Sequence, residues 1–201
     1  IPVETRPTRA QWRGTTLLLA IVGLRSLAHM GLFTFIPLFE ISRGHSAAYG
    51  TRVLALFLFA GALGTLLGGP LADRLGRRRV LLGSFLVSPP LIAIYVLGGG
   101  ALGIVALFFT GMAVIGTFAV SLVMSQEYLP GRVGMASGLS IGLAIGLGGI
   151  AALSLGAVAD AVDLETALLV TALGPAVCIV LTLLLPSSTA RRPGEPAAAS
   201  I

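Results

Sequence analysis

Six long apolar runs, separated by short polar or glycine-rich breaks, account for most of this chain. Within each run the apolar positions are continuous rather than alternating, which predicts helices and not barrel strands. A helix needs about 20 predominantly apolar residues to cross the hydrocarbon core of a bilayer. By that measure the predicted spans are Thr15–Phe35, Arg52–Leu71, Val80–Leu97, Ala101–Met124, Gly134–Ala159 and Leu164–Leu185. The breaks are Glu40–Gly50, an arginine loop ending in Arg77-Arg78-Arg79, Gly98-Gly99-Gly100, Glu127–Arg132 and Asp160–Asp163. Neither Val53–Ala72 nor Val80–Gln126 contains a charged residue. The expected fold is an all-α membrane protein: a tail or linker over 1–13, a six-helix domain over 14–186 and a flexible tail over 187–201. Both ends are rich in Pro, Thr, Ala and Arg.

Composition agrees. Charged residues make up 10% of the chain and mean hydropathy is +0.99, whereas a soluble domain carries about 25% charged residues. The net charge of +5 comes from arginine, since the chain has no lysine. Those arginines sit in short loops, which fits membrane topology and not nucleic-acid binding. An even number of spans puts both termini on one side. That side would hold Arg6, Arg9, Arg13, Arg74, Arg77, Arg78, Arg79, Arg132, Arg191 and Arg192, and the other only Arg43 and Arg52. Positive charge accumulates on the cytoplasmic side, so both tails are expected there, in a multi-pass protein of the plasma (inner) membrane. The segment Asp160–Glu165 is acidic and is expected outside. The first apolar run is too long for a signal peptide, and a start at Ile1 suggests a fragment or processed piece.

Three features within the spans carry candidate chemistry. Arg25 lies about 16 Å into the first span at 1.5 Å per residue, near the midplane, where charges face a bundle interior or a watery cavity. His29, four residues on, shares its face. A cation with a titratable neighbour suits an anionic substrate, proton coupling, or both; the alternative is a structural arginine bonded to backbone carbonyls or to an acid elsewhere. Glycines recur at Gly134, Gly138, Gly142 and Gly146 in the fifth span and at Gly61, Gly64 and Gly68 in the second, a spacing that lets helix backbones approach closely. Chemistry of other classes has no visible basis. His29, His45 and Cys178 lack metal-ligand spacing, there is no nucleotide-cradling glycine loop, and no enzyme constellation or cofactor site is expected. Cys178 reads as a small core or lipid-facing residue.

The loop Gly69-Pro70-Leu71-Ala72-Asp73-Arg74-Leu75-Gly76-Arg77-Arg78-Arg79 resembles the cytoplasmic loop signature of the major facilitator superfamily. Glu127-Tyr128-Leu129-Pro130-Gly131-Arg132-Val133-Gly134 resembles its second cytoplasmic signature. Leu24-Arg25-Ser26 and the run Arg132–Leu139 are similar to drug-efflux members of the fosmidomycin-resistance type. The resemblance covers nearly the whole chain. It implies one half of a secondary transporter that normally has twelve spans, and the arginine-rich start resembles the central linker, which points to the C-terminal half. The implied activity is proton-coupled efflux of a small, anionic molecule or drug by alternating access; the alternative is a non-transporting membrane interaction or scaffold module. The implied partners are the lipid bilayer, a missing N-terminal six-helix half, a small-molecule substrate and protons.

By the same resemblance, Gly69, Asp73, Arg74, Gly76, Arg77, Arg78, Glu127 and Arg132 would bias the cytoplasmic gate, with Glu127 pairing Arg77 or Arg78. The alternative for these arginines is to set topology or to bind anionic headgroups. Gly61, Gly64, Gly68, Gly138, Gly142 and Gly146 would pack against the other half, the alternative being ordinary packing within the chain. Gly69-Pro70-Leu71-Ala72-Asp73 matches Gly156-Ala157-Val158-Ala159-Asp160 at the end of the fifth span. The two segments would lie on opposite membrane faces, as in a 3+3 inverted repeat.

Overall fold

The computed structural model describes residues 9–129 and 132–185, the side chains of 9–11 excepted. Among the described residues, seven helices form six spans: α1 (Arg9–Ser42), α2 (Ala47–Leu75), α3 (Arg77–Gly98), α4 (Gly100–Tyr128), α5 (Val133–Ala161), and a sixth span divided into α6 (Leu164–Thr171) and α7 (Leu173–Leu184). Helix α1 begins within the predicted tail, and the rest of the two expected tails lies outside the described residues. It also continues past the predicted end at Phe35, taking Glu40 out of the expected loop and into a helix.

The boundaries have local causes. Ser46 caps α2 by accepting from the Tyr49 N–H at 3.2 Å. Asp163 caps α6 by accepting from the Thr166 N–H at 2.6 Å. Gly76 (φ +90°) turns the chain between α2 and α3, and Gly99 and Gly100 (φ +59° and +56°) do so between α3 and α4. Those left-handed conformations suit glycine, which has no Cβ to clash. The sixth span breaks where Pro175 cannot donate to the Thr171 carbonyl four residues back. Pro89 and Pro90 also remove donors, yet α3 runs through them as one helix.

The packing is two-fold in pattern. Helix α2 packs on α4 and α5 on α1; α3 packs on α4 and the sixth span on α1; α1 and α4 touch each other. Exchanging the first three spans with the last three maps this set of contacts onto itself, as an inverted 3+3 repeat requires. The core has two parts. One holds Leu18, Ile21, Leu81, Phe85, Met124 and Cys178 near the arginine loop. The other holds Leu32, Phe35, Ile36, Phe57, Tyr95, Leu107 and Leu168 toward the opposite end. Arg25 lies between the two along α1. Much of the outer surface is apolar, including Leu66, Ile150 and Leu153, as lipid contact demands.

Candidate functional site

Arg25 is 2% exposed. Its Nη1 donates to the Val114 carbonyl of α4 at 2.7 Å, and its guanidinium carbon lies 5.1 Å from the Phe118 ring centre. Its Nε is buried without a hydrogen-bond partner among the described residues. The carbonyl bond expected of a structural arginine is therefore present, but it leaves part of the donor fork unused. A cavity of about 230 Å³ adjoins it, lined by Arg25, Ser26 and His29 of α1, Ile115 and Phe118 of α4, and Ile145 of α5, among others. His29 makes no hydrogen bond or ion pair among the described residues. Arg25 and His29 are thus the basic groups of a mostly apolar chamber between three helices. Polar groups placed sparsely in an apolar pocket are what orient a small ligand.

At the arginine-loop end, the two candidates for pairing with Glu127 have separate roles. Arg77 of α3 forms the ion pair with Glu127 of α4, and both side chains are partly exposed. Arg78 instead donates from Nε to the Thr182 carbonyl at 3.1 Å and from Nη2 to the Leu183 carbonyl at 2.6 Å. It caps the last turn of α7, where carbonyls lack helical partners and the helix dipole favours a cation. Asp73, Arg74 and Arg132 are exposed, with no ion pair among the described residues. Nothing within 4 Å would meet a Cβ added at Gly69 or Gly76. Beneath this face, α4 and α5 are joined by Gln126 to Ser137 (2.9 Å) and Ser140 to Ser125 (3.0 Å).

The glycine stripes also divide. A Cβ on Gly116 of α4 would stand 2.7 Å from the Gly64 backbone, and one on Gly68 would stand 3.3 Å from the Gly116 carbonyl oxygen. A Cβ on Gly61 would overlap the Ile115 side chain. Gly61, Gly64 and Gly68 therefore serve contact with α4 inside this chain, the alternative of ordinary packing. Among the described residues, Gly134, Gly138, Gly142 and Gly146 meet nothing within 4 Å and stay on an open face of α5; packing among those residues does not use them.

One cluster was missed by sequence reasoning. Glu40 is 3% exposed, with Tyr95 and His45 on its carboxylate. The available signal was an acid a few residues beyond an apolar run that a longer helix would carry inward.

Six apolar membrane-spanning helices, a two-fold repeat and a basic chamber between spans define a multi-pass membrane protein of transporter architecture. The chain belongs to the Major Facilitator Superfamily, whose profile matches residues 18–200. It is 46% identical over 132 residues to the uncharacterized MFS-type transporter YfnC of Bacillus subtilis, covering 66% of this chain and 32% of that protein. It is 39% identical over 135 residues to the fosmidomycin resistance protein of Escherichia coli, covering 67% and 33%. The E. coli fucose:proton symporter FucP shares the fold, with TM-score 0.73 and 21% identity over 90% of this chain and 44% of that one. Its outward conformation gives TM-score 0.70. The matched region thus spans about a third of the curated relatives and under half of the solved structure.

Proposed function

We propose that this chain is the C-terminal half of a secondary active exporter in the plasma (inner) membrane, moving a small, anionic molecule or drug by alternating access and exchanging it for protons. The arginine-loop end and both termini face the cytoplasm. The observation that carries the reading is the mid-span chamber, where Arg25 holds an unused buried donor beside His29. Lipid exposure of such a cation would cost about 2.5 kcal/mol or more, so a bundle retains it where a ligand or partner uses it. Arg25 attracts the anion, and His29, without a hydrogen-bond partner among the described residues, exchanges the proton. Efflux as the direction draws on the similarity to a fosmidomycin resistance protein.

In this reading, the open glycine face of α5, with Gly138, Gly142 and Gly146, meets the N-terminal six-helix half. Arg77 and Glu127 hold α3 against α4 at the cytoplasmic gate. Asp73, Arg74 and Arg132 reach toward the other half, and Gly69 and Gly76 let that half approach closely. Arg78 acts on α7 from within. The test is substrate-driven proton movement in proteoliposomes containing the full two-half protein. Loss of coupled flux in Arg25→Leu, at unchanged insertion, supports the assignment. A full-length protein that inserts normally and moves neither protons nor any anionic drug would favour the membrane-scaffold alternative.

A further inference from the structure

At the end opposite the arginine loop, a carboxylate is buried where the sequence predicts only a loop. Oε1 of Glu40 accepts from Tyr95 Oη of α3 at 2.8 Å, and Oε2 lies 2.9 Å from Nδ1 of His45 in the α1–α2 loop. The His45 N–H also donates to the Glu40 carbonyl at 3.0 Å. The α1–α2 loop also carries Arg43, whose Nη2 donates to the Val96 carbonyl of α3 and whose guanidinium lies 4.2 Å from the Phe39 ring centre. Helix α2 adds Tyr49, 4.5 Å from the His45 ring, and α3 adds Tyr95. Helix α4 lines the site with Gly100, Gly103 and Ile104. These groups line a small, partly open cavity of about 60 Å³.

A buried carboxylate needs a compensating charge. Arg43 makes no ion pair with Glu40 among the described residues, its contacts being a carbonyl and a ring. The group facing the carboxylate directly is an imidazole, the side chain whose charge changes between pH 5 and 8. With 46% of its side chain exposed, His45 also connects the cluster to water. We propose that Glu40 and His45, with Tyr95, form a proton-binding site in which one proton, held between imidazole and carboxylate, fastens the α1–α2 loop over this cavity. Its release loosens the loop. The site is separate from His29, about 16 Å further along α1. In an exporter driven by external protons it is where they would first bind; that assignment alone rests on the proposed function.

The experiment uses the full-length protein in nanodiscs, its native cysteines replaced and Ile104→Cys introduced in the cavity wall. Labelling by a maleimide is followed from about pH 5.5 to about pH 8, with no transport required. Thiol reactivity itself rises with pH, so each rate is divided by that of the same cysteine in Glu40→Gln. The ratio should be about one fifth at the acid end, the fold-change of a weak ion pair, and approach one at the alkaline end. In His45→Gln it should stay near one throughout. A flat ratio with the native cluster, or a rise that persists in His45→Gln, overturns the proposal. If Glu40→Gln does not fold, His45→Gln, changed at a half-exposed residue, becomes the reference: the ratio to it must show the same rise, and a flat ratio again overturns the proposal. These outcomes are independent of whether the protein exports anything.

Discussion

A guanidinium at mid-span needs partners in a medium without water, and Arg25 shows how few suffice. One backbone carbonyl and one aromatic face hold it, and a buried Nε–H has no acceptor among the described residues. Arg25→Leu should insert as well as the native protein or better, and abolish flux in the proposed two-half transporter. Arg25→Lys should retain part of it, because charge survives while the forked donor geometry is lost. Transport assays normalised to surface expression check both, and wild-type flux in Arg25→Leu would end the substrate-site assignment. At the surface, Asp163 gives a pH dependence of known sign. Accepting from the Thr166 N–H holds its carboxyl below the usual range. A carboxyl lowered on folding stabilises the α6 start fully above its ordinary value of about 3.9. That contribution fades as pH falls through the lower folded value. Amide exchange at Thr166, corrected for intrinsic rates, should accelerate over that acidic range. In Asp163→Asn, which caps without titrating, it should not.

Helix pairs make the distinctions that single residues cannot. In lipid, helices gain little from burying apolar surface against one another, so close van der Waals contact decides which faces meet. Helices α2 and α4 meet through Gly64 and Gly116, leaving no room for a methyl group against backbone. Gly116→Ala should destabilise the bundle by about 1–3 kcal/mol, the usual consequence of overpacking. Gly142→Ala, on the open face of α5, should be neutral or slightly stabilising in this half. Unfolding in mixed micelles compares them; equal losses would mean that the α5 face is packed after all. Gly142→Leu in the full protein should impair transport if the second half lies on that face. Proline acts through its neighbours as well. At Pro175 the helix breaks, whereas at Pro89 and Pro90 it continues, so the missing donors alone do not determine the outcome.

Over the whole molecule, the arginine loop, the start of α1 and the ends of α4 and α7 share one end. Tyr128 lies against Gly14, and Arg78 reaches the last carbonyls of α7. The α1–α2 and α3–α4 turns share the other end, where Arg43 touches α3. Cysteines at Arg79→Cys and Gly98→Cys should therefore react with impermeant reagents added from opposite sides, position 79 from the cytoplasm. Reaction of both from one side would remove the topology. Arg79 is suited to this because it is exposed and makes no ion pair among the described residues. This level of organisation was largely legible beforehand: apolar length determines spans, and arginine placement suggests which ends lie together. Less legible were the ends of α1 and the division of the sixth span, since hydropathy registers neither a buried acid at a helix end nor the local effect of a proline.

Sequence by itself determined the number of apolar spans and the family to which they belong. Each of these depends on local composition or on a loop motif contiguous in the chain. It also singled out Arg25 and His29, because a charge inside an apolar run is conspicuous in one dimension. Tertiary structure decided what those groups touch. Arg25 bonds α4 at Val114, a residue far away in sequence; Arg77 and Arg78, adjacent in the chain, diverge to Glu127 and to the end of α7; two similar glycine stripes become one packed seam and one open face. The reason is geometric. Spacing gives the face of a helix on which a residue lies, but the neighbour of that face depends on how all six spans pack. Glu40 shows the same limit: its partners come from α3 and from a loop, and no pattern along α1 names them.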